Sequence, residues 1–500
     1  MSAAIAEPTD RYRVTPTVLQ ALRSPRVLTR EVLAGLVTAL ALIPEAIAFS
    51  VVAGVDPRVG LFSSFVLAVM IAFTGGRPAM ITAAAGAVAL VIAPVAREHG
   101  PDYLIVTIAL AGVLQVLFAV LGVARLLRFI PRSVMVGFVN ALAILIFLSQ
   151  LPQLIDVPWA VYVLVAAGLG ILLVWPRITR AIPAPLVAIV LLTAAVVVFG
   201  MSVPNVADQG ELPRSLPELL VPHVPLTWET LQIVAPFALA AALVGLLESL
   251  MTAKLVDDLT DTHSRKTREA WGLGVANVVS AFFGGTGGCA MIGQTMINVK
   301  TSGGRTRIST LLAGVWVLVL VVALGDIVGL IPMAALVAVM IVVSAMTFDW
   351  HSIRPSTLRR LPLSETAVML VTVIATVWTH NLAVGVILGV LAAMVLFARR
   401  VAHFTTVTRT VDGGTARYRV DGELFFASSN DLTTQFEYAS DPAHVVIDLS
   451  RTHVWDASTV AALDAIVTKY AQRGIAVELA GMTDAAAAFH GRLTGELGSA

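Results

Sequence analysis

The chain has 500 residues, of which 57% are hydrophobic and only 13% are charged. A soluble globular protein carries about 25% charged residues, so this composition excludes a soluble enzyme, a disordered protein and a fibre. The formal net charge of +1 provides no basic field for nucleic acid. Cys289 is the single cysteine, so an intramolecular disulfide is impossible. The class that remains is a protein embedded in a lipid bilayer.

About fourteen apolar runs, each long enough to cross a bilayer, follow one another through the first 400 residues. Seven precede a polar stretch at residues 202–230 and begin near Glu31, Gly60, Met80, Asp102, Ile130, Pro158 and Ala184. Seven follow it and begin near Leu231, Glu269, Ala290, Ile308, Ile331, Leu363 and Asn381. The pattern predicts an α-helical polytopic membrane protein with fourteen spans.

Basic residues concentrate in alternate loops between these runs. One set of loops carries Arg125, Arg128, Arg132, Arg177, Arg180, Lys254, Arg265, Lys266, Arg268, Lys300, Arg305, Arg307, Arg354, Arg359 and Arg360. The opposite set carries chiefly Arg58, Arg97 and Arg214. Because basic loops stay in the cytoplasm, we predict a multi-pass protein of the inner cell membrane with both termini cytoplasmic.

Two features recur in the same order in both groups of seven runs. A carboxylate lies within the first run, at Glu45, and within the eighth, at Glu248. Each is followed by a glycine pair and the tripeptide Ala-Met-Ile, in GGRPAMITAAAGAV (residues 75–88) and GGTGGCAMIGQTMINV (residues 284–299). Since seven is odd, a duplicated half enters the membrane upside down. We therefore predict two inverted seven-span repeats; the alternative is chance recurrence of small residues.

The glycine pairs predict that the third and tenth spans are half-helices, because glycine and proline oppose continuous helix. Irregular backbone at membrane depth survives only where it lines a cavity or is covered by protein. A half-helix that begins at mid-membrane directs unpaired amides and a partial positive charge inward, and two of them from inverted halves would form an anion site. The alternative is a glycine-rich seam for helix packing.

Glu45 and Glu248 are the two carboxylates that matter most for function, since an ionisable residue within a span generally faces a cavity or a partner. Burial disfavours the ionised form, so proton binding during a transport cycle is one role. Thr252 lies one helical turn after Glu248, and such paired oxygens also suit Na⁺. The alternative for both carboxylates is a purely structural, hydrogen-bonded acid.

Three stretches resemble the sulfate permease family of anion transporters. They are AGLVTALALIPEAIAFSVVAGVDPRVGL in the first span, GGRPAMITAAAGAVALVIAP in the third, and, most specifically, the segment from Glu248 to Thr310. The resemblance implies a core bundle that moves against a gate bundle, and a homodimer. It also implies a substrate site between the N-termini of the third and tenth spans, beside the first and eighth.

Matched residue by residue, the resemblance assigns substrate binding to Phe49, Thr82, Ala83, Ala84, Ala85, Gly86, Ala87, Gln294, Thr295 and Met296. It assigns ion coupling to Glu45, Glu248 and Thr252. Many relatives carry Arg at the position of Gln294, and its absence leaves helix dipoles and polar groups to hold the anion, which favours coupled uptake over passive exchange. Glu45 matches bacterial members for which the resemblance suggests proton coupling. Sodium-coupled bicarbonate members have Asp at the position of Glu248, so H⁺ and Na⁺ both stay open.

Residues 401–500 differ from the rest, with 7 Lys and Arg against 12 Asp and Glu. Residues 416–429 are predicted to form a strand or strand pair, His444 to Ser450 a buried strand, Ser458 to Arg473 an amphipathic helix, and IAVELAG a further strand. This α/β order and DLSRTHVWDASTVAALDAI resemble the STAS domain. Ser458 matches the position at which anti-sigma-factor antagonists carry a phosphorylatable serine; helix capping is the other role for it.

The predicted organisation is a cytoplasmic N-terminal segment (1–30), a first membrane repeat (31–200), an extracytoplasmic linker (201–230), a second membrane repeat (231–400) and a cytoplasmic STAS domain (401–500). We expect a secondary active transporter of sulfate, bicarbonate or a dicarboxylate such as fumarate, coupled to H⁺ or alternatively to Na⁺. An uncoupled anion channel or exchanger and a nucleobase transporter are the other candidates. No metal, cofactor or enzymatic motif is recognised, since HExxH, CxxC and GxxxxGK[ST] patterns are missing from the sequence.

Overall fold

A computed structural model describes residues 16–122, 130–179, 183–210, 215–225, 227–402 and 405–494. The chain divides into two compact units between Val390 and Leu391. The loop residues Arg125, Arg128, Arg180 and Arg214, together with residues 1–15, lie outside the described residues.

Within the described residues, one helix corresponds to each predicted apolar run. The first seven are α1 Pro25–Ala53, α2 Pro57–Thr74, α3 Gly86–His99, α4 Pro101–Val120, α5 Arg132–Leu148, α6 Trp159–Ile178 and α7 Ala184–Val198. The second seven are α8 Trp228–Thr260, α9 Lys266–Phe282, α10 Ile292–Met296, α11 Arg307–Gly329, α12 Met333–Thr347, α13 Leu363–Thr379 and α14 Leu382–Ala402. Eight helices of the described residues are long and apolar enough to cross a membrane. Short helices also occur at Val18–Arg23 and Pro355–Leu358.

Local sequence fixes several helix ends. Proline occupies the first position of α1, α2 and α4, where its missing N–H costs no hydrogen bond and its fixed φ suits a helix. Gly54 ends α1 with a φ of 79°, a left-handed conformation that favours glycine. The chain therefore reverses between α1 and α2 within three residues.

The helices pack into two groups, and each group draws on both halves of the sequence. In the first group, α11 packs against α1 and α2, while α9 packs against α2 and α4. In the second, α13 packs against α5, and α12 packs against α5, α6 and α7. Gly112 and Gly274 bring α4 and α9 close together, since a Cβ on either would lie within about 2.6 Å of the other's carbonyl oxygen. Helices α1–α4 and α8–α11 thus form one bundle, and α5–α7 with α12 and α13 form the other.

The first unit contains two short strands, β1 Thr82–Ala83 and β2 Cys289–Ala290. The second unit contains a sheet of four strands, β3 to β6, which lie side by side in chain order. Its strands are β3 Thr406–Asp412, β4 Thr415–Leu424, β5 His444–Val454 and β6 Ala476–Ala480, and its helices are α15 Phe426–Leu432, α16 Ala457–Ala471 and α17 Asp484–Leu493. Strands β3 and β4 form an antiparallel hairpin, and the β4–β5 and β5–β6 pairs are parallel.

The strand predicted at residues 416–429 is shorter in the structure than the sequence pattern indicated. Strand β4 ends at Leu424 and helix α15 begins at Phe426. The Ser428 hydroxyl accepts from the Phe425 N–H at 3.0 Å and donates to the Glu423 carbonyl at 2.8 Å. This local capping satisfies backbone groups at the turn and allows the helix to start.

Candidate functional site

The starts of α3 and α10 are held together by a two-residue antiparallel pairing. Thr82 lies opposite Ala290, and Ala83 lies opposite Cys289. The Met291 N–H also donates to the Ile81 carbonyl at 2.9 Å. The segments that precede α3 and α10 are therefore hydrogen-bonded to each other, although about 200 residues separate them in sequence.

Glycine makes this pairing possible. A Cβ at Gly288 would lie 1.9 Å from the Ala83 carbonyl oxygen, which is far inside van der Waals contact. The Asn277 side chain fixes Gly288 on its other side, because its Oδ1 accepts from the Gly288 N–H at 2.9 Å. Its Nδ2 donates to the Gln115 Oε1 at 2.9 Å. A buried amide network thus supports β2 from α9 and α4.

Helices α3 and α10 both begin without a side-chain cap. The residues at the N-caps are Ala85 for α3 and Met291 for α10, neither of which makes a capping hydrogen bond through its side chain. Helix α3 has 14 residues; α10 continues directly into a π-helical segment, Ile297–Thr301. The first amides of each helix are thus left for a ligand, and the helix dipoles favour an anion.

Two buried polar atoms at this place have no hydrogen-bond partner within the described part of the chain. They are Thr82 Oγ1 on β1 and Gln294 Nε2 in the first turn of α10. Thr295 differs, since its hydroxyl accepts from the Ile81 N–H at 3.0 Å and therefore joins α10 to the segment before β1. Buried polar groups are normally paired, so the Thr82 hydroxyl is free to meet a polar ligand, whereas the Gln294 amide also lies beside the Glu45 carboxylate.

Helix α1 brings Glu45 and Phe49 to the same place. Glu45 is 9% exposed, and its carboxylate lies beside the Gln294 side chain. Phe49, one turn later, lies against the start of α3, where a Cβ on Gly86 would come within 2.6 Å of the phenyl ring. Close packing at this glycine therefore sets how near α1 approaches the α3 amides.

Helix α8 supplies the second carboxylate. Glu248 is 8% exposed, and its Oε2 accepts from the Cys289 thiol at 2.9 Å. The Thr252 hydroxyl lies near two carbonyl oxygens, that of Glu248 at 2.8 Å and that of Ala290 at 3.3 Å. The Ser249 hydroxyl accepts from the Ala290 N–H at 3.0 Å. Helix α8 is therefore joined to β2 through side chains.

The remaining predicted substrate-binding residues divide into two groups. Ala83, Ala84, Ala85 and Ala87 are at most 1% exposed and line the strand and the first turn of α3. Met296 packs beside a different small cluster, formed by Ala79, Val256 and Val299. The structure thus brings the other predicted residues of the membrane unit around the two helix starts, whereas the Met296 side chain lies in this separate cluster.

The sequence did not predict several residues that shape the site. Four of them make the contacts described above: Cys289, Ser249, Asn277 and Gln115. The fifth is Ser64, whose hydroxyl accepts from the Ala84 N–H at 3.3 Å. Asn277 and Gln115 carried a usable signal, because amide side chains within apolar helices generally pair with each other. Cys289 and the serines carried none, since small residues are common throughout this chain.

Ser458 lies in the second unit, at the second position of α16, and is exposed. The N-cap of this helix is Asp456, whose Oδ1 accepts from the Thr459 N–H at 3.0 Å. The capping role considered for Ser458 thus belongs to Asp456, and the Ser458 hydroxyl lies at the surface.

Two bundles that each draw on both halves of the chain, with two uncapped helix starts and buried carboxylates beside them, are the arrangement expected of inverted-repeat membrane transporters. Residues 28–372 match the model of the sulfate permease family, and residues 406–489 match that of the STAS domain. The chain belongs to the sulfate permease family of membrane anion transporters and carries a C-terminal STAS domain. The predicted family is confirmed, and so is the predicted fold class of a helical membrane protein with a C-terminal STAS domain; the count of fourteen spans stays a prediction.

Curated relatives and solved structures agree with this assignment. The putative sulfate transporter YbaR of Bacillus subtilis is 50% identical over 458 residues, covering 92% of this chain and 95% of the relative. The bicarbonate transporter BicA of Picosynechococcus is 25% identical over 486 residues, covering 85% of this chain and 83% of the relative. The structure of the murine Slc26a9 anion transporter in its inward-facing state has a TM-score of 0.81 at 17% identity, covering 96% of this chain and 88% of that chain. At that identity the likeness shows the fold alone.

Proposed function

We propose that this chain is a proton-coupled symporter of a small inorganic or dicarboxylate anion, such as sulfate, bicarbonate or fumarate, and that it works by alternating access. The observation that carries the proposal is the β1–β2 pairing, which places two uncapped helix starts side by side next to Glu45. Amide donors and helix dipoles bind an anion without a full positive charge.

The anion is held by the first amides of α3 and α10, with the unpaired polar atoms of Thr82 and Gln294 as further contacts. The glutamine in the first turn of α10 adds hydrogen-bonding capacity without charge. A dipolar site of this kind binds the anion weakly enough to release it, which transport requires.

Glu45 couples the anion to a proton. An ionised carboxylate beside the site repels a bound anion, whereas a protonated one can donate a hydrogen bond to it. Anion and proton therefore assist each other's binding, and by linkage the effect is reciprocal. The carboxylate is correctly placed for this role because it already lies beside the Gln294 side chain.

Sodium coupling at Glu248 and Thr252 is the second candidate, since their oxygens lie on one face of α8. Two contacts favour the proton instead. Glu248 Oε2 already accepts from the Cys289 thiol, and the Thr252 hydroxyl already contacts two carbonyls. A Na⁺ bound at Oε2 would have to share that oxygen with the thiol donor.

Uptake into proteoliposomes tests the coupling. We expect an inward proton gradient, but not an inward Na⁺ gradient, to drive accumulation of the transported anion by wild type. Glu45→Gln removes the titrating group and should abolish the stimulation by the proton gradient. Glu229→Gln, an exposed carboxylate at the start of α8, is the matched control and should behave like wild type.

Three other outcomes would contradict the proposal in different ways. Full proton stimulation in Glu45→Gln would remove Glu45 from the coupling. Accumulation driven by Na⁺ and lost in Glu248→Gln would establish the sodium alternative, and a large conductance without accumulation would indicate a channel.

The proposal includes the predicted organisation. Both termini and the STAS domain are cytoplasmic, the domain boundaries lie near residues 30, 200, 230 and 400, and the working unit is a homodimer. Ser458 is the proposed regulatory position because its hydroxyl is exposed at a helix start. Cysteine labelling from each side of the membrane and mass measurement of the purified complex test topology and assembly.

A further inference from the structure

A groove of about 590 Å³ opens between the N-terminal part of α1, the start of α7 and the end of the α10 segment. Along α1 its polar residues come first, at 26, 29 and 30, and its apolar residues follow at 33, 34 and 37. The lining residues are Arg26, Thr29, Arg30, Leu33, Ala34, Val37, Pro183, Ala184, Pro185, Ile297, Thr301 and Ser302. The groove thus has an amphiphilic lining.

The positive charge of the groove is not neutralised within the described part of the chain. Arg26 and Arg30 are one helical turn apart on α1, both exposed, and no described side chain pairs with either. The neighbouring carboxylate, Glu31, is fully buried and faces α11. It accepts from the Arg305 N–H and the Thr306 hydroxyl, each at 2.8 Å.

Helix length places the arginines at the level of lipid headgroups. Helix α1 has 29 residues, which corresponds to about 43 Å at 1.5 Å per residue. The hydrocarbon core of a bilayer is only about 30 Å thick. The apolar sequence of α1 runs from Val32 to Ala53 and fills that thickness, so the turn with Arg26 and Arg30 lies just outside it.

A second feature marks the same boundary. The short helix Val18–Arg23 precedes α1 and exposes Leu19 and Leu22 at 67% and 54%, while Ala21 is fully buried. A short helix with exposed leucines beside basic residues is suited to lie in the membrane interface. The groove therefore opens where protein, headgroups and acyl chains meet.

We propose that this groove binds an anionic phospholipid, with the headgroup phosphate on Arg26 and Arg30 and an acyl chain along Leu33, Val37 and the segment Pro183–Pro185. Basic pockets between helices at the membrane surface recognise such headgroups. A free anion would use only the polar end, whereas a lipid uses both ends. The site requires only that the chain lie in a membrane; the cytoplasmic leaflet follows from the proposed topology.

Native mass spectrometry of the full-length protein tests the site. Wild type, R26Q/R30Q and R359Q/R360Q are equilibrated in micelles with equal amounts of phosphatidylglycerol and phosphatidylcholine, and bound lipid is counted. Each basic side chain near an anionic surface contributes about fivefold, so R26Q/R30Q should retain phosphatidylglycerol about 25-fold less than wild type. R359Q/R360Q removes two exposed arginines elsewhere and should retain it fully.

A second variant separates a lipid from a free anion. Ala184→Trp adds bulk to the apolar lining on α7 without changing charge, so it should also lose phosphatidylglycerol. Equal retention in wild type and in both groove variants would overturn the proposal. Thermal stabilisation by inorganic phosphate of wild type and Ala184→Trp, but not of R26Q/R30Q, at the concentration at which phosphatidylglycerol stabilises wild type, would assign the groove to a free anion and overturn it too. Neither result bears on proton coupling, which Glu45→Gln tests separately.

Discussion

The Cys289 thiol shows how one residue supports the site without being predicted by any motif. It lies on β2 opposite Ala83 and donates to the Glu248 carboxylate at 2.9 Å. A buried carboxylate without a donor is expensive, and removing one partner of such a pair costs about 1–3 kcal/mol. Cys289 therefore holds Glu248 in place against the strand.

Substitutions of Cys289 should distinguish the effect of its hydrogen bond from the effect of its side-chain volume. We expect Cys289→Ala to lower the free energy of unfolding by about 1–3 kcal/mol, since Glu248 Oε2 loses its donor. Cys289→Ser keeps a donor of similar size and should lose less. Thermal unfolding of the purified full-length protein, followed by tryptophan fluorescence, compares the two; equal losses would indicate that packing, rather than the hydrogen bond, is what matters.

The two-residue strands are the smallest elements of the fold, yet they connect the two halves of the membrane unit. Their pairing needs the close approach of Gly288 to Ala83. Overfilling a well-packed interior usually costs about 1–3 kcal/mol, and the atom in the way here is a backbone oxygen that cannot rotate aside.

Gly288→Ala is accordingly expected to destabilise the protein by about 3 kcal/mol. Gly170→Ala on α6 is the matched control, because no described atom lies within 4 Å of the Cβ it would add, and alanine in a helix is about 1 kcal/mol better than glycine. Thermal unfolding and size-exclusion profiles measure both. A Gly288→Ala protein as stable as Gly170→Ala would show that the strands can separate freely.

The second unit carries a polar cluster around Asp441 that joins β3, β4 and α16. The hydroxyls of Tyr418 on β4 and Tyr470 on α16 both donate to Asp441 Oδ2, at 2.6 and 2.5 Å, and Arg409 pairs with Oδ1 at 2.7 Å. Burial raises the pKa of both tyrosines and that of the adjacent Tyr438, the last to about 12. The cluster therefore favours neutral tyrosines.

The sign of the pH dependence follows from these shifts. A raised pKa means that the folded unit favours the protonated phenol, so its contribution to stability is complete below about pH 10, the ordinary pKa of tyrosine. That contribution is lost as the pH rises above 10 toward the folded-state values.

Matched substitutions test the cluster. Tyr470→Phe removes a hydrogen bond to a carboxylate and should cost about 1.5–3 kcal/mol. Tyr438→Phe removes one to the Thr433 carbonyl and should cost only about 0.5–1.5 kcal/mol. Proteolysis of the tail during heating of the full-length protein, at pH 8 and pH 11, measures both. A difference between wild type and Tyr470→Phe that stays the same at both pH values would contradict the titration argument.

At the scale of the whole molecule, hydropathy predicted the order of the helices but not their ends. The first run was placed near Glu31, whereas α1 begins at Pro25, because the helix continues beyond its apolar part into a turn that contains Arg26 and Arg30. In the same way, α8 continues past its apolar part to Thr260. Apolar periodicity reports burial in lipid or protein, and a helix can extend into water without it.

The contacts within the candidate site could not be predicted from the sequence, for a different reason. A two-residue strand has no periodicity to detect, so the β1–β2 pairing left no pattern. The glycine pairs predicted where the helices break, and the inverted repeat predicted that the breaks face each other. The thiol contact at Glu248 joins residues 41 positions apart and depends on that pairing, so it could be recognised only in three dimensions.

The backbone bonds between β1 and β2 also have a mechanical consequence. If β1 and β2 separated, their amides and carbonyls would lose their partners inside the protein, where each unsatisfied buried group costs about 1–3 kcal/mol. In the proposed alternating-access cycle, the two helix starts would then move as one rigid piece. Movement in that proposed cycle would occur elsewhere, along the surfaces where α1 contacts α12 and α3 contacts α5. In this proposal the pairing between the two repeats stays fixed, and the movement takes place at the interface between the two bundles.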